Sequence, residues 1–158
     1  MAWLPLLAGS IGLWAQQYNG PLPPEADVPY LLHAENLIAP EQAEAREQET
    51  KDSVINIVPG AASSVRTPLA EPIFIFLSKE IPVDRLELYQ MTVKDGNRQI
   101  AFPKNPARRM KRGPWPVHLK YRQLKDNLYW VEVNQYLENG EYCLSPSGSM
   151  KVFCFQIY

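Results

Sequence analysis

The side chains best placed to do chemistry in this chain are cations. From Lys104 to Pro116 the sequence reads KNPARRMKRGPWP, which crowds Lys104, Arg108, Arg109, Lys111 and Arg112 into a connection rich in turn-forming residues, with Trp115 near its end. A loop of this kind can hold polyanions such as acidic lipid headgroups or acidic glycans, and the indole of Trp115 can stack or sit at a membrane interface. Nucleic acid is the least expected of these partners. Two plainer readings compete with a binding role. The loop can be a solvated connection with Trp115 closing the end of the fold, or it can be covered by an acidic stretch of the same chain.

Catalytic chemistry finds little support. No G-x-S-x-G, H-E-x-x-H, Walker or G-x-G-x-x-G pattern occurs, and neither histidine has a nucleophile signature beside it. His33 and Glu35 alternate as they would on one face of a strand, but two candidates without a third do not make a zinc site. His118 stands among Lys120 and Arg122 on the strand face expected to be exposed. No enzyme, metal or cofactor is therefore expected. The two cysteines, Cys143 and Cys154, point instead to one disulfide if the chain is exported.

Export is expected from the first residues. Ala2 to Ala15 carry no charge and run through Trp3-Leu4-Pro5-Leu6-Leu7 and Ile11-Gly12-Leu13-Trp14 to a small residue, the pattern of a signal peptide over residues 1–15. The stretch is shorter than the ~20 apolar residues of a bilayer span. Residues 16–27, with Gly20, Pro21, Pro23 and Pro24, read as a linker. A single domain is expected over residues 28–158, since the chain of 158 residues is 46% hydrophobic and large enough for one core.

Short β-like runs bounded by turn residues fill that span. They are Val28–Ile38, Ser53–Val58, Pro72–Ser78, Arg85–Lys94, Asn97–Phe102, Val117–Leu124, Leu128–Val133, Glu141–Ser145 and Lys151–Tyr158, which predicts an all-β antiparallel sandwich of eight or nine strands. Ile73 to Leu77 is apolar at every position and should lie centrally. The charged stretch PEQAEAREQETKD, Pro40 to Asp52, has helix-favouring residues but no apolar stripe. It is read as a solvated excursion that can be helical, extended or mobile.

Three hairpins can be checked by register, because opposed residues must point to the same face. Asp95-Gly96 sets Met91 against Ile100 and Tyr89 against Phe102. A Lys125-Asp126-Asn127 loop, with Asn127 in the left-handed region, sets Tyr121 against Val131 and Leu119 against Val133. A Gly148-Ser149 turn pairs Leu144 with Phe153 and Tyr142 with Phe155, which brings Cys143 opposite Cys154 in a hydrogen-bonded pair with Cα atoms about 5.5 Å apart. A four-residue Pro146–Ser149 loop is the rival, and it separates the thiols.

The closing stretch LENGEYCLSPSGSMKVFCFQIY, Leu137 to Tyr158, resembles the terminal hairpin of small immunoglobulin-like modules of exported bacterial proteins, on its Asn139-Gly140-Glu141-Tyr142 turn and its aromatic final strand. The resemblance implies an immunoglobulin-like sandwich ending on a core strand and brings no catalytic or binding residues with it.

The formal net charge of −1 conceals two opposed stretches. Glu25 to Asp52 holds eight acidic and two basic residues, a net of −6, whereas Lys94 to Lys125 holds ten basic and one acidic, a net of +9. The expectation is a non-enzymatic binding module of the bacterial envelope that meets an anionic lipid or glycan through the basic loop. The alternative is an assembly subunit that engages another envelope protein through an edge strand or the acidic residues 41–52.

Overall fold

The computed structural model describes residues 17–158; the expected leader, residues 1–15, lies outside them. Residues 17–27 form no helix or strand. The chain is pinned at Asp27, whose N–H donates to the Leu77 carbonyl at 2.8 Å and whose carboxylate accepts the backbone N–H groups of Lys79, Glu80 and Ile81. Burial alone would raise the carboxyl's pKa, but those three donors outweigh it and hold the group below the usual aspartate value.

Thirteen strands, one short α-helix and one 3₁₀ turn (Val83–Arg85) follow: β1 Pro29–His33, β2 Asn36–Ile38, β3 Glu41–Glu44, β4 Arg46–Glu49, β5 Ser53–Val58, β6 Arg66–Thr67, β7 Ile73–Leu77, β8 Leu86–Lys94, β9 Asn97–Pro103, α1 Pro106–Arg112, β10 Leu119–Lys125, β11 Leu128–Val133, β12 Gly140–Pro146 and β13 Lys151–Ile157. They build two packed sheets, so the expected all-β sandwich is observed. The smaller sheet runs β10-β11-β7-β1-β2, with β7 at its centre and Phe74, Ile75 and Phe76 fully buried. The larger runs β3-β13-β12-β8-β9-β5-β4, and β6 adds in parallel to β13.

Between the sheets lies the main core. Phe74 and Phe76 of the smaller sheet meet Leu88, Tyr142, Leu144, Phe153 and Phe155 of the larger, with the Phe155 ring tilted on Phe74 and stacked on Tyr142. These are alternate positions along β12 and β13. The positions in between, Cys143, Val152 and Cys154, are buried as well, in a second cluster with Ala45, Val58 and Met91. Strands buried on both faces read as unbroken apolar runs, which is why VFCF has no polar member.

The second cluster exists because the larger sheet curls over its own outer face. β3 and β4 stand at opposite ends of the strand order yet are joined in sequence by Ala45 alone, whose N–H donates to the Met150 carbonyl at 2.7 Å. One length of chain therefore pairs with β13 in its first half and with β5 in its second, closing a ring. Following partners from Glu41 through Cys154, Cys143 and Tyr89, then across the Tyr89–Phe102 ring contact to Val54, leads back to Glu49. Return to a different residue of the same strand is the stagger that closure of a tilted sheet imposes.

Several expectations need correction. The acidic stretch 41–49 is two strands rather than an excursion: Ala43 and Ala45 alternate with charged neighbours and turn inward, and pairing overrides helix propensity. The helix lies instead in the basic loop. Asn105 caps α1 by accepting from the N–H groups of Ala107 and Arg108, Pro106 opens it, and Gly113 at φ +76° ends it. The segment 28–38 is a hairpin, not one strand, turned at Ala34. Asp126, not Asn127, takes the positive φ of the β10–β11 turn, where a bulge near Leu124 shortens the loop.

The registers themselves hold. Tyr121 faces Val131, Leu119 faces Val133, Leu144 faces Phe153 and Cys143 faces Cys154. The Asp95-Gly96 hairpin pairs Lys94 with Asn97 and Thr92 with Gln99, in phase with the expected pairs. Cys143 and Cys154 are joined in a disulfide, which excludes the rival loop. Their Cα atoms are 4.1 Å apart, the spacing of a non-hydrogen-bonded pair rather than the wider one expected. The turn also closes one residue early, with Ser149 N–H donating to the Pro146 carbonyl and Gly148 at φ +78°.

A candidate binding cavity under the basic helix

Side chains pointing into the ring sort into three levels. At one end Arg98, fully buried, forks both nitrogens onto the Glu41 carboxylate at 2.8 Å and donates to the carbonyls of Pro59 and Gly60 at 2.7 and 3.0 Å. Glu141 stands beside it at 3.9 Å and accepts the Ser63 N–H at 2.9 Å. Bonding to Arg98 holds the Glu41 carboxyl below the ordinary glutamate pKa despite its burial. This end of the ring is plugged.

The middle level is apolar: Val58, Met91, Val152 and the Cys143–Cys154 bridge. Toward the other end the ring opens into a cavity of about 460 Å³, walled by Ala45, Asn56, Ile100, Phe102 and Met150. That size falls within the ~300–1,000 Å³ range of small-molecule sites. Asn56 is one of the wall residues, and its Oδ1 is buried without a hydrogen-bond partner. The mouth is polar, formed by Glu47, Glu87, Tyr89, Lys104, Arg109 and the Ser145–Ser149 turn. Tyr89 Oη donates to Glu87 at 3.3 Å, and burial, reinforced by the Glu87 charge, pushes the phenol's pKa up.

The basic residues singled out in the sequence divide at this mouth. Lys104 ion-pairs with Glu49 at 3.0 Å, and its N–H donates to the Asp52 carbonyl. Arg109 lays its guanidinium over the Phe102 ring, 4.9 Å from the centroid, at the cavity rim. Arg108, Lys111 and Arg112 are exposed on α1, and none of them has an acidic partner among the described residues. Trp115 does not close the fold; it is 62% exposed, beside Met110 at 81%. It lines a shallow depression with Pro106, Arg109, Pro114 and Pro116. The two opposed charge stretches do touch, at Glu41–Arg98 and Glu49–Lys104, but α1 itself stays uncovered.

Asn56, Tyr89, Glu87 and Arg98 were not legible as site residues. For Glu87 and Tyr89 the signal was double-sided burial: in LELYQM and GEYCLS the residues between core positions are also largely apolar or uncharged, which a one-sided sandwich strand does not need; Asn56 and Arg98 had no such signal. No helix among the described residues is long and apolar enough to cross a membrane. No family model, curated protein or solved structure matches the chain, so the chemistry of the site rests on its own residues.

Proposed function

We propose that the chain is an exported, non-enzymatic binding module of the bacterial envelope that meets an anionic lipid surface through α1. The observation that supports it most is the pairing of free cations with exposed apolar side chains. Arg108, Arg109, Lys111 and Arg112 have no acidic partner among the described residues, while Met110 and Trp115 stand out beside them. Cations at a bilayer surface each contribute about 1 kcal/mol, and an adjacent indole favours the headgroup level. The oxidised Cys143–Cys154 pair fits an oxidising compartment. Assembly through residues 41–52 has less support, because β3 and β4 are built into the ring.

Co-sedimentation with phosphatidylglycerol vesicles, set against phosphatidylcholine vesicles, tests the reading. Retention on the anionic vesicles should fall as salt rises from about 0.1 to 1 M, over which the Debye length shrinks from about 10 to 3 Å. Replacing Arg108, Arg109, Lys111 and Arg112 together by Gln should weaken it by on the order of a hundredfold or more. Retention that ignores both changes sinks the proposal.

A further inference from the structure

We infer that the cavity in the ring binds one single-chain amphiphile, with its hydrocarbon chain inside, its anionic head at Arg109, and a hydrogen-bond donor close below the head facing Asn56. This goes beyond surface binding and shares only Arg109 with it, so either can fail alone.

Three features select this ligand class. The first is shape. The ring has only the joined β3–β4 segment, β13, β12, β8, β9 and β5 for walls, fewer than the eight strands of barrels that hold one small ligand. A lumen walled in this way and plugged by Arg98 at its far end is entered end-on from the mouth, the approach that suits a slim chain. The second is the gradient from an apolar interior at Met91, Val58, Val152 and the disulfide to a charged mouth. Apolar groups are favoured inside by about 25 cal/mol per Å² removed from water, while a charged head left at the mouth keeps its hydration. Glu47 and Glu87 also stand at the mouth and Lys104 is paired with Glu49, so Arg109 is the lining cation without an acidic partner among the described residues and the place where an anionic head would be met.

The third is Asn56. Its buried oxygen has no partner, and a buried acceptor left unbonded is costly enough that such sites ask for an occupant. Asn56 lies on β5 between Val54, toward the mouth, and Val58, paired with Arg98. That oxygen is closed to solvent, so a turn of the Asn56 amide would bring it to the lumen, where a hydroxyl or amide N–H just below the head group would meet it; a plain alkyl chain offers nothing there.

Calorimetric titration of the purified, disulfide-bonded protein with 3-hydroxydodecanoate, dodecanoate and dodecanol, each kept below its aggregation threshold, tests the assignment. One molecule of 3-hydroxydodecanoate should bind per chain, about three- to tenfold more tightly than dodecanoate, the effect of one hydrogen bond. Dodecanol, without the charge, should bind more weakly than either. Asn56→Leu should erase the preference for the hydroxyl, and Ile100→Trp, which fills the lumen, should abolish binding while leaving vesicle retention intact. Methyl resonances of methionine give a readout independent of these variants. Met91 and Met150 line the cavity and should shift on titration, whereas Met110, on the exposed side of α1, should not. Absence of saturable binding, binding unaffected by Ile100→Trp, or shifts confined to Met110 each overturn the inference. Loss of vesicle retention with cavity binding intact would refute the surface reading alone.

Discussion

The two ends of the ring are both crossed by a contact between the acidic and the basic stretches of the chain, and the contacts have little else in common. At the plugged end Arg98 and Glu41 meet with side chains 1% and 21% exposed, in a fork whose spare donors are taken by Pro59 and Gly60. At the open end Lys104 and Glu49 meet at nearly the same distance with side chains 39% and 67% exposed and no further partner for the ammonium. Distance alone would rank them together. Surroundings separate them: desolvation makes the first costly to break and the second easy to exchange with water. One end of the lumen is fixed by buried charge, and the other is left adjustable beside α1.

The sharpest way to break this contrast is to remove one partner at the plugged end. Arg98→Met should cost about 3–5 kcal/mol, because Glu41 and Glu141 would keep buried charge without a cation; urea unfolding measures it. Adding Glu41→Leu to that variant should recover part of the loss, since it removes one of the two stranded carboxylates and leaves only Glu141. Next in size is the bridge on the cavity floor. Replacing Cys143 and Cys154 together by Ala should lower stability by about 2–4 kcal/mol in the same measurement.

Acid offers a smaller, graded test. The Glu41 carboxyl titrates lower in the fold than its ordinary value of about 4.3, so its contribution is fully present above that value and is lost as pH falls through the lowered one. Asp27 is shifted the same way. Stability should therefore decline with acidification below about pH 4.3, and Glu41→Gln should flatten the decline relative to wild type. The smallest effect belongs to the open end. Lys104→Gln should change stability by no more than about 1 kcal/mol, and a double-mutant cycle with Glu49→Gln should give a coupling that fades with added salt.

How far this architecture could be read from the chain varied with the distance over which its determinants act. Hairpin registers were legible because turn residues and strand alternation are local, and Asp95-Gly96 or the spacing of Cys143 and Cys154 carries the information within a few positions. The basic cluster was legible as charge, but not as a helix, because the cap at Asn105 and the stop at Gly113 act on a segment too short to show an apolar stripe. The ring was not legible. Glu41–Glu49 looks like a solvated excursion by composition; Arg46–Glu49 pairs with nearby β5, but Glu41–Glu44 becomes a strand only through partners more than a hundred residues away at β13. Arg98 was hidden for the same reason: on a hairpin strand it reads as a surface cation until Glu41 and the Pro59 and Gly60 carbonyls are brought around it.

The joining of β3 and β4 through Ala45 also sets an order of events in time. The hairpins β8–β9, β10–β11 and β12–β13 each unite neighbours and can form as soon as their own residues exist, whereas β3 pairs with nothing earlier than Lys151–Ile157. During synthesis from the N-terminus, Glu41–Glu44 must wait for almost the whole remainder of the chain before it gains a partner. Loss of Lys151–Ile157 would thus remove more than one strand: it would leave the ring open, Cys143 unbridged and the lumen without a wall.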